Sequence, residues 1–161
     1  MSDHHLAQLN VGILNAPLDD ASMAGFADGL APVNALADAS PGFVWRYTDE
    51  GSDDATAARP FGDDLLVNLS VWESPEALWD FTYRSDHIDF LRRRREWFQH
   101  IREATSVLWW VPAGHIPTLE EAGERLGLLR RHGPTAEAFT LKDSFGPPET
   151  PASSTTGTTR L

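Results

Sequence analysis

The 161-residue sequence contains no cysteine. This absence excludes disulfide bonds, thiolate metal sites and a cysteine nucleophile, while it leaves the compartment open. Basic residues are also scarce, since 13 Lys and Arg stand against 24 Asp and Glu and give a formal net charge of −11. A chain of this charge repels phosphate backbones, so we expect no general binding to nucleic acid.

Long apolar runs are missing as well. No segment approaches the roughly 20 apolar residues that span a bilayer, and residues 1–6 lack the basic and apolar pattern of a secretion signal. We therefore expect a cytoplasmic protein that does not enter the membrane.

The motifs of several common enzyme classes do not occur. The sequence has no H-x-x-x-H or H-x-H spacing, no glycine-rich phosphate loop, no nucleophile elbow and no dinucleotide fingerprint. No metal site is predicted, and hydrolase, kinase and dehydrogenase functions are disfavoured.

Large aromatic side chains are abundant by contrast, with six Trp and eight Phe. Such side chains bury much area and are common in cores, interfaces and pockets for flat ligands. Among them, Trp45, Trp97 and Trp110 are candidates for contact with a substrate. Because Trp109 and Trp110 are adjacent on a predicted strand, one should pack in the core and the other should line a pocket or a dimer interface.

Alternation and helical periodicity predict the order β-α-β-β-α-β, followed by a helix and a short strand. The predicted strands cover residues 5–14, 42–48, 65–72, 107–111 and 138–141. The predicted helices cover 21–39, with a bend or division at Pro32, 76 to about 101, with a break near Ser85-Asp86, and 118–131. One domain over residues 1–142 would precede a disordered tail at 143–161, which is rich in Pro, Ser, Thr and Gly.

This order is the α+β, ferredoxin-like arrangement with an extra C-terminal helix. A sheet covered by helices on one side needs a partner for its other face, and two such sheets would form a dimeric α+β barrel. One set of aliphatic residues suits either that partner or a packed helix: Ala7, Leu9, Val11, Ile13, Val67, Leu69 and Val71.

Polar side chains lie between aliphatic residues on two of the strands. Gln8 and Asn10 share one face of the first strand, and Asn68, Ser70 and Trp72 share one face of the third. Because an unpaired buried amide is costly, we interpret them as the lining of a pocket that holds a polar, planar ligand. Cross-strand hydrogen bonding or exposure to solvent is the alternative.

Two histidines are candidate site residues, His87 for proton transfer and His115 for contact with a substrate. His87 lies near a helix start and close to Tyr83, and an imidazole can act as a base near neutral pH. His115 follows a Pro-x-Gly turn, which would place it near an opening. For His87 the alternative is a surface or capping position.

Four consecutive arginines occupy positions 92–95. On a helix, Arg94 lies on the apolar face near Trp97, while the other three should be solvated or paired with acidic residues. Arg94 could hold an anionic ligand, and an internal salt bridge is the favoured interpretation.

Several segments together resemble one known family. They are Pro41–Arg46, Asn68–Ser74, Leu91–Phe98, Leu108–His115 and Gly133–Phe139. They are similar to a bacterial family of unknown function that is grouped with the antibiotic-biosynthesis-monooxygenase-like dimeric α+β barrels. The resemblance, which spans about residues 4–142, implies the fold and a homodimer but no particular activity.

The wider superfamily includes cofactor-free monooxygenases of polyketide-derived phenols, isomerases and cyclases. The resemblance thus implies a cofactor-free enzyme of one of these types, acting on an aromatic or polyketide-like natural-product intermediate. Asn10, Asn68 and Trp72 would orient the substrate and stabilise an enolate or peroxy intermediate, and His87 or Tyr83 would move protons.

Two alternatives remain beside this function. The heme-degrading relatives combine an asparagine on the first strand with a helical tryptophan and a later histidine. Asn10 matches the first position, whereas Phe81 and Arg92 stand at the other two, so heme degradation is not expected and heme binding through His87 is the alternative. The third possibility is a protein that binds a ligand or assembles without catalysis.

Overall fold

The strands form a four-stranded antiparallel sheet in the order β2-β3-β1-β4. In the computed structural model, which describes residues 3–48, 54–56, 58–62, 64–85 and 87–148, β1 is His4–Ile13, β2 Phe43–Arg46, β3 Leu65–Trp72 and β4 Ser106–Pro112. The two strands with polar and aliphatic alternation, β1 and β3, are therefore central neighbours. This strand order confirms the predicted α+β, ferredoxin-like fold.

Within the described ranges, five α-helices connect and cover the strands. They are α1 Ala24–Ala39, which follows a 3-10 turn at Ala21–Met23, α2 Pro75–Arg84, α3 His87–Arg92, α4 Arg94–Trp97 and α5 Leu119–His132. Side-chain caps fix where two of them begin, because Ser74 accepts from the backbone N–H of Ala77 and Thr118 from that of Glu121.

Three sequence predictions need correction. α1 is not divided at Pro32 but runs through it as one helix, Ala24–Ala39, in which this proline is exposed. The helical segment after α2 ends at Trp97 rather than near 101. Residues 138–141 form no strand but an isolated bridge, in which Leu108 and Phe139 exchange N–H···O bonds of 2.7 and 2.9 Å.

One face of the sheet packs against α5. Most of its aliphatic residues on β1, β3 and β4 are at most 4% exposed and pack with Ala122, Leu126 and Leu129 of that helix, whereas Ile13 and Leu65 at the strand ends are half-buried. Of the two roles predicted for this face, the structure therefore shows the packing of a helix. The open face that was the reason to predict a dimeric barrel is covered within the single chain, and the homodimer stays a prediction.

The opposite face carries two apolar clusters. At one end, Leu6, Trp72 and Leu108 pack with Leu78 of α2 and with Phe139. At the other end, Leu14 and Leu66 pack with the Met23, Phe26 and Trp97 side chains. The polar residues of β1 and β3 lie between these clusters, so the fold leaves a polar strip under α1, α2 and α3.

The first residues of the predicted tail contact the sheet. Trp110 Nε1 donates to the backbone oxygen of Phe145 at 2.8 Å, and the Phe145 ring lies 5.9 Å from that of Phe139. Residues 149–161 lie outside the described part, so the disorder of 143–161 and the domain boundary at 142 stay predictions. Within the described ranges, no helix is long and apolar enough to cross a membrane.

Candidate functional site

The polar side chains of neighbouring strands face one another across the sheet. Asn10 of β1 pairs in register with Asn68 of β3 and with Ser106 of β4. One row further along, Gln8 is opposite Ser70, which is itself opposite Arg46 of β2. Because alternate residues of a strand point to the same face, these two rows form the floor of one site.

A hydrogen-bonded relay connects four of the predicted site residues. Asn10 Nδ2 donates to Gln8 Oε1 at 2.5 Å, and Gln8 Nε2 donates to Ser70 Oγ at 3.3 Å. The Trp72 Nε1–H donates to the same Ser70 oxygen at 2.9 Å. Cross-strand hydrogen bonding, the alternative to a pocket lining, is therefore present, but it does not fill the space above the strands.

A cavity of about 370 Å³ lies above this polar strip. Pockets for drug-sized molecules have volumes of about 300–1,000 Å³. Helix α1 contributes apolar walls through Phe26, Leu30 and Val33, and the α2–α3 region contributes Phe81 and His87. The space is large enough for a small molecule of two or three fused rings.

The polar residues lie at different depths in this cavity. Gln8 and Ser70 are only 6% and 5% exposed, and Trp72 is 1% exposed. Asn10 and Asn68 are exposed, yet both line the cavity. The two asparagines therefore stand where solvent and ligand can reach them, and the Gln8–Ser70–Trp72 group forms the deep end.

An aromatic stack joins the deep end of the cavity to His87. The Trp72 and Phe81 rings are 5.2 Å apart and nearly parallel, and the Phe81 and His87 rings are 4.7 Å apart. On the other side of Trp72, Phe43 makes an edge contact at 5.3 Å. Packed rings of this kind hold one another in fixed orientations.

His87 is held as a neutral imidazole with its proton on Nδ1. Burial lowers the pKa of His87, while the hydrogen bond to the Thr82 carbonyl acts in the opposite direction. Nδ1 lies 3.2 Å from that carbonyl oxygen, which can only accept, so Nδ1 carries the hydrogen. Nε2 then has a free lone pair, and it makes no hydrogen bond to any residue in the described ranges.

Three further predicted residues line the cavity in different ways. Tyr83 is exposed and lies against Trp79, with 4.4 Å between their rings. Trp97 is 1% exposed and packs against Phe26, so most of its surface belongs to the core. Arg94 is exposed at the cavity wall.

The favoured internal salt bridge of Arg94 is a prediction that the structure corrects. Arg94 makes no ion pair within the described part of the chain, whereas its neighbour Arg93 pairs with Glu96 at 2.8 Å and lies over the Trp97 ring. The helical segment is broken at Arg93, between α3 and α4, and this break changes which arginine faces the aromatic core.

Three of the predicted substrate contacts lie outside the cavity. Trp45 packs with the core on the α5 face, near Tyr47. Trp110 contacts the segment around Phe145, and His115 Nε2 pairs with Glu121 Oε1 at 2.8 Å. Periodicity could not place them, because these positions depend on which face α5 and the tail cover.

Sequence reasoning missed several polar residues that line the cavity, among them Asn34, Arg46 and Ser106. Asn34 is one turn from Leu30 on the inner face of α1, so a polar residue within an apolar helical stripe was the available signal. Arg46 forms an ion pair with Asp38 at 2.8 Å. Ser106 became visible only once the β1–β4 register was known.

The site offers amide, hydroxyl, indole and imidazole groups. Within the described ranges, no cluster of three or more His, Asp or Glu residues could hold a metal ion. The arrangement can bind a flat molecule against Trp72 and Phe81, donate hydrogen bonds to its oxygens and remove a proton through His87.

The chain is similar to several solved structures, each at low sequence identity. SnoaB, a cofactor-independent oxygenase from Streptomyces nogalater, is 18% identical with a TM-score of 0.46, over 73% of this chain and 98% of that chain. MupZ from Pseudomonas fluorescens is 14% identical with a TM-score of 0.41, over 94% of this chain and 93% of that chain. A putative antibiotic biosynthesis monooxygenase from Chloroflexus aurantiacus is 12% identical with a TM-score of 0.43, over 71% and 98%.

These TM-scores are below 0.5, so no conclusion about this chain depends on them. Among curated proteins, none matches the sequence. A family model matches residues 5–155, which is most of the chain. The family of unknown function predicted from the sequence motifs is thereby confirmed: the chain belongs to the family described as domain of unknown function DUF3291.

Proposed function

We propose that the protein is a small-molecule enzyme that removes a proton from an aromatic or polyketide-like intermediate without a metal or nucleotide cofactor. Monooxygenation, cyclisation and isomerisation of such compounds can all begin with the enolate or phenolate that this step produces. The proposal therefore covers the monooxygenase, cyclase and isomerase types and commits to the step that they share.

The observation that carries this proposal is the state of His87. Its Nδ1–H is bound to the Thr82 carbonyl, burial lowers the pKa of the ring, and Nε2 makes no hydrogen bond within the described ranges. A general base works best when it is unprotonated at the working pH and its proton acceptor faces the substrate. The lowered pKa of His87 supports the first condition, and its place in the lining of the cavity supports the second.

Removal of a proton also requires groups that stabilise the negative charge left on the substrate. The amides of Asn10 and Asn68 can supply this stabilisation. When the proton moves from substrate to Nε2, the electron pair of the broken bond delocalises onto a substrate oxygen. Asn68 makes no side-chain hydrogen bond to another described residue, so its N–H groups can donate to that oxygen. Preorganised donors of this kind often supply the largest part of catalysis, and Tyr83 at the exposed side can relay the proton to water.

The test uses 5-nitrobenzisoxazole, a flat compound whose ring opens to a coloured phenolate when a base removes its C–H proton. We expect the protein to accelerate this reaction, with His87→Gln at least about tenfold slower, since a positioned base contributes about 10²–10⁴-fold. The matched control is His100→Gln, because His100 is exposed and outside the cavity.

Equal rates in the two variants, or no acceleration by the unaltered protein, would contradict the proposal. If flat phenols bind in the cavity without any acceleration, the protein is instead a ligand-binding protein without catalysis. Asn68→Ala should slow the reaction severalfold without changing the pKa read from its pH profile.

Heme binding is a second candidate that the same imidazole favours. A histidine that ligates a metal commonly donates its other ring N–H to a backbone carbonyl, and His87 has this arrangement with Thr82. His87 would hold the heme by binding its iron. Titration with hemin decides: a Soret shift that is lost in His87→Ala supports this function, and an unchanged spectrum excludes it.

We also propose that the protein acts in the cytoplasm as a homodimer, as its family resemblance implies. Because α5 covers the aliphatic face of the sheet, a second copy would bind another surface. Analytical ultracentrifugation would test the dimer, and a single monomer boundary at high micromolar concentration would contradict it.

A further inference from the structure

Ser70 has one hydrogen-bonding capacity that the surrounding residues do not use. A hydroxyl group has one hydrogen to donate and two lone pairs that accept. The Ser70 oxygen accepts from Gln8 Nε2 at 3.3 Å and from Trp72 Nε1 at 2.9 Å. Its own hydrogen meets no acceptor among the residues that the structure describes, although the side chain is only 5% exposed.

The direction of the relay leaves the cavity as the place for this hydrogen. An indole N–H can only donate, so Trp72 occupies one lone pair of the Ser70 oxygen. Asn10 donates to Gln8 and Gln8 donates to Ser70, so the amides supply hydrogens toward the hydroxyl rather than acceptors for it. Ser70 lines the cavity together with both amides.

We infer that Ser70 donates its hydroxyl hydrogen to the ligand, and that the ligand presents a carbonyl oxygen at the deep end of the cavity. This inference rests on the proposed function, because it takes the same cavity as the ligand site. The substrate class is thereby a flat, enolisable ketone that enters the cavity with its carbonyl first.

The carbonyl and the proton removed by His87 belong to one reaction. Removal of hydrogen from the carbon beside the carbonyl transfers the proton to Nε2, and the electron pair of that C–H bond moves to the carbonyl oxygen to form an enolate. A hydroxyl that already accepts two hydrogen bonds is a more polarised donor. Hydrogen bonds to a charged oxygen are stronger than those to a neutral one, so Ser70 favours the enolate over the ketone.

The different exposure of Ser70 and the two asparagines indicates how a ligand is oriented in the cavity. Ser70 lies deep, whereas Asn10 and Asn68 are exposed. A ligand whose carbonyl reaches Ser70 therefore places its remaining oxygens beside the two asparagines. We therefore expect the deep end of the site, at Ser70, to select ligands that carry a carbonyl group.

The experiment measures the carbonyl stretch of 1-tetralone, labelled with ¹³C at the carbonyl carbon, by infrared difference spectroscopy. Bound to the unaltered protein, the band should move to lower frequency than in an aprotic solvent. In Ser70→Ala most of that shift should be lost, and in Ser70→Thr, which keeps a hydroxyl, it should be retained. Ser144→Ala is the matched control, because this serine is exposed and lies outside the cavity.

Affinity gives a second measurement that does not depend on the band. The unaltered protein should bind 1-tetralone at least about fivefold more tightly than tetralin, which has the same ring system without the oxygen. Ser70→Ala should bind the two compounds equally. An unchanged carbonyl band in Ser70→Ala with bound tetralone, or equal affinities in the unaltered protein, would overturn the inference.

The inference and the proposed function can fail separately. The compound 5-nitrobenzisoxazole has no carbonyl, so its acceleration depends on the base and not on recognition of a ketone. If the rate falls in His87→Gln but the carbonyl band is unchanged in Ser70→Ala, only this inference is wrong. If the carbonyl band changes in Ser70→Ala but the rate is unchanged in His87→Gln, only the proposed proton transfer is wrong.

Discussion

The indole N–H of Trp72 donates to the hydroxyl oxygen of Ser70 at 2.9 Å, although the two residues are only two positions apart on β3. The ring of Trp72 also stacks on Phe81, which contacts His87. One side chain thus connects the polar strip on the strands with the histidine on α3. A change that tilts this ring should disturb both parts of the site.

Replacement of Trp72 by Phe removes the N–H and keeps an aromatic ring. We expect the free energy of unfolding to fall by about 1–3 kcal/mol, because a buried hydrogen bond is lost and a smaller ring fills the space. Urea denaturation measures this change. Trp110→Phe is the control: its N–H bonds the Phe145 carbonyl at a more exposed place, so its loss should be smaller, and equal losses would count against a special role for Trp72.

The stability of the fold should depend on pH through His87. Burial lowers the pKa of its imidazole in the folded chain, so between that value and the unfolded value of about 6.5 the unfolded chain binds more protons. The contribution is therefore complete above about pH 6.5 and is lost as the pH falls toward the folded pKa, by at most about 1.4 kcal/mol per pH unit.

Thermal unfolding at pH 7.5 and pH 5.5 measures this effect. The loss of melting temperature at the lower pH should be smaller in His87→Gln than in the unaltered chain. His100→Gln, at an exposed position, should leave it unchanged. A His87 ring resonance that titrates at or above pH 6.5 in NMR would show that the assigned pKa direction is wrong.

The strands could be predicted from the sequence because each has a strong local pattern of residues. Residues 65–72 were predicted with the bounds that β3 has in the structure, since aliphatic residues alternate there with Asn68, Ser70 and Trp72. The caps at Ser74 and Thr118 likewise mark helix starts through local chemistry. Asn10 and Asn68 were predicted as site residues because they stand between aliphatic residues of the strands, and His87 because it lies near a helix start and close to Tyr83.

The remaining site residues depended on contacts between distant parts of the chain. His115 became a partner of Glu121 only because α5 returns over the sheet, and Trp110 faces the segment around Phe145. A strand pattern shows that Trp109 and Trp110 point to opposite faces, but not which face becomes the cavity. The missing prediction was the position of α5, which no local pattern encodes.

Gly12 is a position where one added methyl group should alter the cavity wall. A Cβ there would lie 2.6 Å from Cδ1 of Phe98, whose ring lines the cavity. Gly12→Ala should therefore displace that ring and lower the free energy of unfolding by about 1–3 kcal/mol. Calorimetry measures it against Gly146→Ala, where an added Cβ has no neighbour within 4 Å; equal stability of the two variants would contradict the close packing.

A change on the face of the sheet that packs against α5 should alter stability without altering the cavity on the opposite face. Trp109 Nε1 donates to Glu121 Oε2 at 2.9 Å, and Trp109 is fully buried. Glu121→Ala leaves this N–H without its acceptor and should cost about 1–3 kcal/mol of stability, whereas Glu120→Ala at an exposed position should cost less than about 0.5 kcal/mol. The rate with 5-nitrobenzisoxazole should not change in either variant, and a lower rate in folded Glu121→Ala would show that the two faces are coupled.

We propose that His87 and the asparagines of the sheet contact the same bound molecule in one cavity. Intermolecular NOEs to 2-naphthol, a flat phenol, decide whether they do. We expect NOEs from the same bound molecule to the His87 ring and to the Asn68 side-chain amide, and both sets should weaken together in Gly12→Ala. NOEs confined to the Trp110 or His115 side chains, or to neither His87 nor Asn68, would contradict it.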